Sequence, residues 1–493
     1  MILIQDKEVK RQSNFWTDVL FHPTDAVEDP WGKRILDTLA EDRVPRFVRI
    51  YAMLEDIVYL DPEGNLAYDF RLSDLRLDYL VEKGFRLFIA YAGMPSCIAA
   101  TTKFTTSVSK NKTRYKGKMF NTSPPKDPAL WEEVCYVYTK HILDRYGLEQ
   151  VKTWRFHCFN EPDIPEFFLS QLPREDVDTR CKSYCSMYEG FQRGIRRVSE
   201  EIILGGPALA NRLDFLGQFL DYVKEHELKL DFISLHNYGA SPRDFNDGSK
   251  TITVENNLAK HRAYVETIQA HGFGNTPLFI DEWGVASGGF YNREECPTLM
   301  YRESEVFSAY YAKLIHHMVY SDFRMDGWMI CLSGQHEMVE DFSGFRNFFT
   351  LNFFQKPIYS AFRMASWLGE SFLDAQCDKE HLWLLPTRRD DGSYAVMLSY
   401  SDEHFTQTPP RVTEELTFRE DIRGKQVTLW CIDETHSNPY TLSQRLGLTE
   451  LGEEEIRLLR EEGRMKPLAS FVSDGSPISL DLVPNATWLV TVE

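Results

Sequence analysis

The chain has 493 residues, is 43% hydrophobic and 26% charged, and sets 55 Lys and Arg against 74 Asp and Glu for a net charge of −19. That length predicts two domains, and the composition is that of a globular protein. The acidic balance excludes a nucleic-acid partner, which needs a basic face, and no stretch reaches the roughly 20 apolar residues of a membrane helix.

The opening run MILIQDKEVK is too short in apolar residues for the core of a signal peptide, so a soluble protein is expected. Eight apolar runs then read as strands: Phe15–Phe21, Arg46–Tyr51, Arg86–Tyr91, Thr153–Phe159, Ile202–Gly206, Phe232–His236, Leu278–Asp281 and Gly327–Leu332. Between them lie amphipathic stretches. In Leu130–Tyr146, the apolar residues Leu130, Val134, Val137, Tyr138 and Ile142 share one helical face. Arg180–Ser199 and Glu303–Tyr320 read the same way. This alternation predicts an α/β fold, a (β/α)₈ TIM barrel. No GxGxxG or GxxxxGK[ST] occurs, so nucleotide binding has no support.

The basic stretch from Lys103 to Lys126 reads as a solvated surface loop. After about Gly369 the texture changes to short strands and turns, as in HLWLLPTRRDDGSYAVMLSYS and PISLDLVPNATWLVTVE, with helical periodicity kept in Glu453–Glu462. An appended C-terminal β-sandwich is expected. The predicted division is a barrel over residues 11–370 and a sandwich over residues 371–493, joined by a strand from residues 1–10. The nine Cys are scattered and do not form a disulfide framework. Neither Cys181 and Cys185 nor His316 and His317 makes a metal pair. No metal and no organic cofactor is expected.

Barrel function collects where strands end. The fourth strand ends at Asn160-Glu161, the sixth at His236-Asn237-Tyr238, and the seventh at Asp281-Glu282-Trp283. A helix start alone accounts for Asn160 and Pro162, since Asn caps and Pro suits the first turn. It does not account for Glu282 across the barrel mouth. Two such carboxylates are what glycoside hydrolysis needs: one protonates the leaving oxygen while the other attacks the anomeric carbon.

With these residues in view, the chain resembles glycoside hydrolase family 39, the β-xylosidase and α-L-iduronidase family. RYGLEQVKTWRFHCFNEPD is similar to the run into the family's acid/base strand, SLHNY to its Ser-x-His-x-Tyr strand, KPIYSAFRMASWLG to its closing barrel helix, and IDETHSNPY to a segment of its C-terminal sandwich. The resemblance implies a retaining, exo-acting hydrolase of a terminal sugar, with β-xylosidase the default. Glu161 would be the general acid/base and Glu282 the nucleophile. Asn160 would bind the sugar 2-hydroxyl, His236 and Tyr238 would line the sugar subsite with Tyr238 orienting Glu282, Trp283 and Trp328 would be stacking platforms, and Glu337 would reach the substrate.

The chain departs from the family pattern at His157, Phe159, Asp163, Tyr51-Ala52 and Asp281, where the family commonly has Glu, Trp, Asn, His-Gly and Thr. These departures leave the sugar open: an α-L-arabinosidase, β-glucosidase, β-galactosidase or uronidase runs on the same machinery. Against a uronidase, Arg49 is the one basic residue near the named strand ends. The reading from another class is a carbohydrate-binding barrel without turnover. Homo-oligomerisation stays open.

Overall fold

The computed structural model describes residues 1–21, 27–107, 119–332 and 338–493. Glu337 and most of the basic stretch, residues 108–118, lie outside the described residues. Eight parallel strands close into a barrel in sequence order: β1 (Asp18–Phe21), β2 (Phe47–Tyr51), β3 (Arg86–Tyr91), β4 (Arg155–Cys158), β5 (Leu204–Leu209), β6 (Phe232–Ala240), β7 (Leu278–Ala286) and β8 (Gly327–Leu332). All eight match runs picked out by hydropathy alone. Strands β5, β7 and β8 are buried along their whole length, as expected for parallel strands covered by helices outside and side chains inside.

The helices outside the barrel are set by local signals. Helix α1 (Pro128–Tyr146) starts on Asp127, whose side chain accepts from the Ala129 amide, with Pro128 in the first turn. It ends at Gly147, where φ is 78°, a backbone that favours glycine. Helix α2 (Val177–Arg196) packs on α1, and its Gly194 lets the two backbones approach, since a Cβ there would lie 2.5 Å from the Glu132 carbonyl. Helices α3 (Val254–Ala270) and α4 (Glu305–Val319) follow β6 and β7. Among the described residues, no helix is long and apolar enough to cross a membrane.

The barrel interior is layered. Phe47, Phe88, Phe232, Phe279 and Met329 form an aromatic plug at the strands' N-terminal ends. Side chains two residues further along a strand share a face. Arg49 therefore stands above Phe47, Ser234 and His236 above Phe232, and Asp281 above Phe279. A polar layer rests directly on an apolar floor.

The rest of the chain forms a nine-stranded curled sheet, the appended sandwich. The N-terminal strand Ile2–Arg11 lies inside it, antiparallel to Ser371–Cys377 and parallel to Val412–Phe418. We propose the division at residue 370 on this pairing. In the strand Tyr394–Tyr400, Ala395 and Met397 join the barrel core while Val396, Leu398 and Tyr400 join the sandwich core. One departure from the sequence reading is a second helix in this region, Pro439–Arg445, capped by Asn438. All nine Cys are free thiols.

A buried ion pair holds the segment that follows β8. Lys356 Nζ lies 2.7 Å from Glu303 Oε1, both side chains being about 1% exposed, and the same Glu303 oxygen accepts from the Gly344 amide. Lys356→Met should leave Glu303 buried without its counter-charge. The expected loss is about 3–5 kcal/mol of stability, read as a lower denaturant midpoint with an unchanged slope. A midpoint like that of the wild type would show that the pair holds nothing.

Candidate active site

The site is built at the C-terminal ends of β2, β4, β6 and β7 around a cavity of about 870 Å³. Asn160, Glu161, Tyr238 and Glu282 line it, together with Tyr51, Arg346, Lys250 and Lys260. Two backbone features aim the carboxylates. On β7, Leu235 pairs with Ile280 but His236 pairs with Glu282, so Asp281 is an extra residue, a β-bulge. The bulge turns both Asp281 and Glu282 into the barrel. After β4, Phe159 and Glu161 take left-handed backbones, with φ 62° and 46°. Such conformations cost non-glycine residues about 1–3 kcal/mol each and cluster at working sites. The Glu161 amide is held by the Ala208 carbonyl at 2.9 Å.

Arg49 ties the strands together. Its side chain is fully buried; Nη1 donates to Glu282 Oε1 at 2.8 Å, Nη2 donates to Asn160 Oδ1 at 2.7 Å, and Nε lies 2.9 Å from Asp281 Oδ2. A guanidinium only donates, so Asn160 must turn its oxygen to Arg49, and its amide nitrogen carries the donors that remain. Nε also lies 3.2 Å from His157 Nε2. Burial and the neighbouring Arg49 cation hold His157 well below the usual imidazole range, so it sits there neutral and can accept.

Glu161 and Glu282 have opposite surroundings. Glu282 accepts from Arg49, from Tyr238 Oη at 2.8 Å and from Tyr51 Oη at 3.1 Å. Burial opposes its charge, but the His236 and Arg49 cations and the Tyr238 hydroxyl outweigh it and bring its pKa down to about 2. Glu161 has one strong partner, His236 Nδ1 at 2.8 Å. Burial raises its carboxyl above the ordinary value, against the pull of His236, and the charge on Glu282 adds to the rise. One carboxylate is thus kept ionised and the other inclined to hold a proton, the division of labour that acid-assisted displacement requires.

The geometry suits retention. Ligand-type atoms of Glu161, His236 and Glu282 lie within 4.8 Å of one another. Retaining enzymes hold their carboxyl groups about 5–5.5 Å apart, and inverting ones about 6.5–9.5 Å to admit a water. The same three residues, like Cys431, Asp433 and His436 in the sandwich, are close enough to hold a metal ion. In both groups the short contacts are accounted for by internal hydrogen bonds: His236 Nδ1 with Glu161, and Asp433 with Cys431 Sγ and His436 Nδ1.

Several residues expected at the cavity stand elsewhere. Because Glu282 points inward, Trp283 points outward, stacked 5.9 Å from Tyr311 of α4. Trp328 precedes the inward Met329 and meets His261 and Trp283 at 5.7 and 5.8 Å. Neither tryptophan lines the cavity, so neither is a sugar platform. His236 is fully buried beneath Glu161 and does not line the cavity, with Tyr264 donating to its carbonyl at 2.9 Å. Asp163 accepts three backbone amides, from Ala210, Asn211 and Arg212, and locks the β4 and β5 loops together.

Other residues of the site were not anticipated in their roles. Arg49, read in the sequence only as the basic residue near the strand ends, could have been placed in the buried layer as the lone cation in the apolar strand FVRIY. Lys250, Lys260 and Arg346 lie beyond strand ends and have no such signal. Their presence removes the objection that an acidic sugar would find no cation here.

The sequence model of glycosyl hydrolases family 39 matches residues 1–475. A β-xylosidase of Geobacillus stearothermophilus is 25% identical over 378 residues, covering 72% of this chain and 67% of that one. An α-L-iduronidase of Mus musculus is 26% identical over 256 residues, covering 48% of this chain and 33% of that one. The crystal structure of a monomeric β-xylosidase from Caulobacter crescentus CB15 superposes with a TM-score of 0.82 at 19% identity, over 100% of this chain and 99% of that one.

Tyr238→Phe should remove one donor from Glu282 and leave Arg49 and Tyr51 in place. A hydrogen bond to a charged group is worth about 1.5–3 kcal/mol, or roughly one to two pH units. A nucleophilic Glu282 works ionised, so raising its pKa should move the acid limb of the kcat/KM profile to higher pH by about that amount. An acid limb that stays where it was would show that the hydroxyl does not hold the carboxylate.

Proposed function

This chain belongs to glycoside hydrolase family 39, and on that premise we propose an exo-acting β-xylosidase in which Glu161 is the acid/base and Glu282 the nucleophile. The observation that carries the reading is the pair of carboxyl groups within 4.8 Å, one held by Arg49 and two tyrosine hydroxyls and the other by one imidazole.

In the first step, Glu282 Oε attacks the anomeric carbon as Glu161 gives its proton to the departing oxygen. The C–O bond to the leaving group breaks, and an ester to Glu282 forms. Glu161, now a carboxylate, takes a proton from a water that attacks the same carbon, and Glu282 leaves ionised. Net configuration is retained after two inversions. Asn160, with its oxygen pinned by Arg49, offers its amide to the sugar 2-hydroxyl, a contact that strengthens as positive charge develops.

His236 serves both steps. Its Nδ1 lies 2.8 Å from Glu161 and 3.6 Å from Glu282. The charge of Glu282, with those of Asp281 and Glu161, raises the imidazole above its ordinary value against the effect of burial. When negative charge passes from Glu282 to Glu161, the same cation faces it.

A sugar acid is the second reading. Arg346 lines the cavity with its guanidinium 4.9 Å from the Tyr238 ring, next to the residue that holds Glu282. The similarity to an α-L-iduronidase points the same way. A matched set of aryl xylosides and aryl uronides separates the two.

Glu161→Ala should lower kcat on an aryl xyloside with a poor leaving group by about 10²–10⁴-fold. Azide should restore turnover on an activated one and give a glycosyl azide of retained configuration. Glu282→Gln should be inactive on both. Full turnover by either variant, or rescue of Glu161→Ala with inverted product, would overturn the assignment.

A further inference from the structure

We infer that the wall of the cavity beside Glu161 is a subsite for an acidic leaving group, with Lys260 and Lys250 as its anion-binding residues. The inference rests on Glu161 being the acid: the leaving oxygen takes its proton there, so the departing group must extend along that wall. Lys260 and Lys250 line the cavity with Glu161, and the charges of Glu161 and Lys250 both act on Lys260, so the three lie near one another. Arg49, Tyr51 and Arg346 gather instead about Tyr238 and Glu282.

The two lysines are fixed by the fold. Lys260, on α3, donates from Nζ to the Ala210 carbonyl just past β5 at 2.8 Å. Lys250, in the loop before α3, donates to the Gly239 carbonyl near the end of β6 at 2.7 Å. Each ammonium has three donors and one is used here. Neither lysine makes an ion pair among the described residues. The carboxylates nearby are committed elsewhere: Asp163 to three backbone amides, and Asp244 to the Ser241 amide in the capping box of the short helix Pro242–Asn246. Two anchored ammonium groups lining one cavity, neither within ion-pair distance of a carboxylate among the described residues, are unexpected in a chain of net charge −19. Burial lowers Lys260 to a pKa of about 8, offset by the charges of Asp163 and Glu161 and reinforced by Lys250. An incoming anion would remove that penalty. The class of ligand is a leaving group bearing a carboxylate or sulfate, such as an acidic saccharide.

The test compares 4-carboxyphenyl, 4-sulfophenyl and 4-carbamoylphenyl glycosides of the sugar that the enzyme turns over. The readout is the ratio of kcat/KM for each anionic substrate to that for the neutral one. Lys260→Met should lower the ratio by about five- to tenfold. Lys250→Met, at an exposed position, should lower it less. Which anionic substrate loses more tells carboxylate from sulfate. In the wild type the ratio should fall with added salt, and again as pH rises through about 8, where Lys260 sheds its proton. Asp163, Glu161, Lys250 and Tyr264 are the other titratable groups facing it. A lysine that only holds the Ala210 carbonyl would leave the ratio unchanged. A ratio equal in wild type and both variants, or insensitive to salt, would overturn the subsite. A wild type that leaves all xylosides intact while cleaving another sugar would overturn the sugar reading instead.

Discussion

Arg49 is the point on which the site depends. Moving an ion of this kind from water to the interior carries a penalty of several kcal/mol even after relaxation, and it persists only where charges and acceptors surround it. Here they come from two other strands: Asn160 after β4, His157 on β4, and Asp281 and Glu282 on β7. The reciprocal holds as well. Glu282 and Asp281 could not both lie buried without that cation. Arg49 therefore fixes Glu282, the Asn160 amide and the relative placement of β2, β4 and β7 together. A site assembled this way is organised before substrate arrives, so little reorganisation is left for the reaction step.

The aromatic plug makes that arrangement permanent. Phe47, Phe88, Phe232 and Phe279 pack edge-on with centroids 5.1–6.3 Å apart, closing the barrel below Arg49. Water cannot relieve the charged layer from that side. The strain needed to aim the carboxylates is then local: a one-residue bulge at Asp281 and left-handed backbones at Phe159 and Glu161. The surrounding barrel over-determines these residues, so strained positions hold without loosening the fold.

How much of this was legible in the sequence follows from the same physics. The eight strands were readable because parallel barrel strands are apolar on both faces. Glu161 and Glu282 were readable because they interrupt such runs at the end where barrels put chemistry. Trp283 misled because proximity to a carboxylate in sequence was taken for proximity in space, and Trp328 because an aromatic residue on a barrel strand was read as a sugar platform. Period two sends Trp283 to the face opposite Glu282, and the bulge at Asp281 leaves no periodic trace in one sequence. Arg49 was seen only as the nearest basic residue, although a lone cation in FVRIY already implies buried partners. Lys250, Lys260 and Arg346 were out of reach because they enter the cavity from a loop, a helix and the segment after β8, whose paths no local pattern encodes. Without them the sequence offered Arg49 alone as a cation for an acidic sugar, which weighed against that reading; the three residues add cations to the cavity.

The chemistry and the charge pattern are one constraint. Buried beneath the cavity, the Arg49 guanidinium and the His236 imidazole, raised by its carboxylate neighbours, face Asp281 and Glu282, while burial raises the Glu161 carboxyl. In the proposed first half-reaction the charge on Glu282 is consumed and one is created on Glu161, so the cluster carries the same total before and after. A low-dielectric site tolerates a charge that moves a few ångströms far better than one that appears or vanishes. His236 lies between the two carboxylates, 2.8 Å from one and 3.6 Å from the other, so the move is made within reach of one cation. Asp281 belongs to the same account. It lies 3.7 Å from His236 Nε2 and 2.9 Å from Arg49 Nε, on the side away from the reacting atoms. From there it balances the cations without lining the cavity, which leaves Glu161 and Glu282 as the carboxylates of this cluster that do.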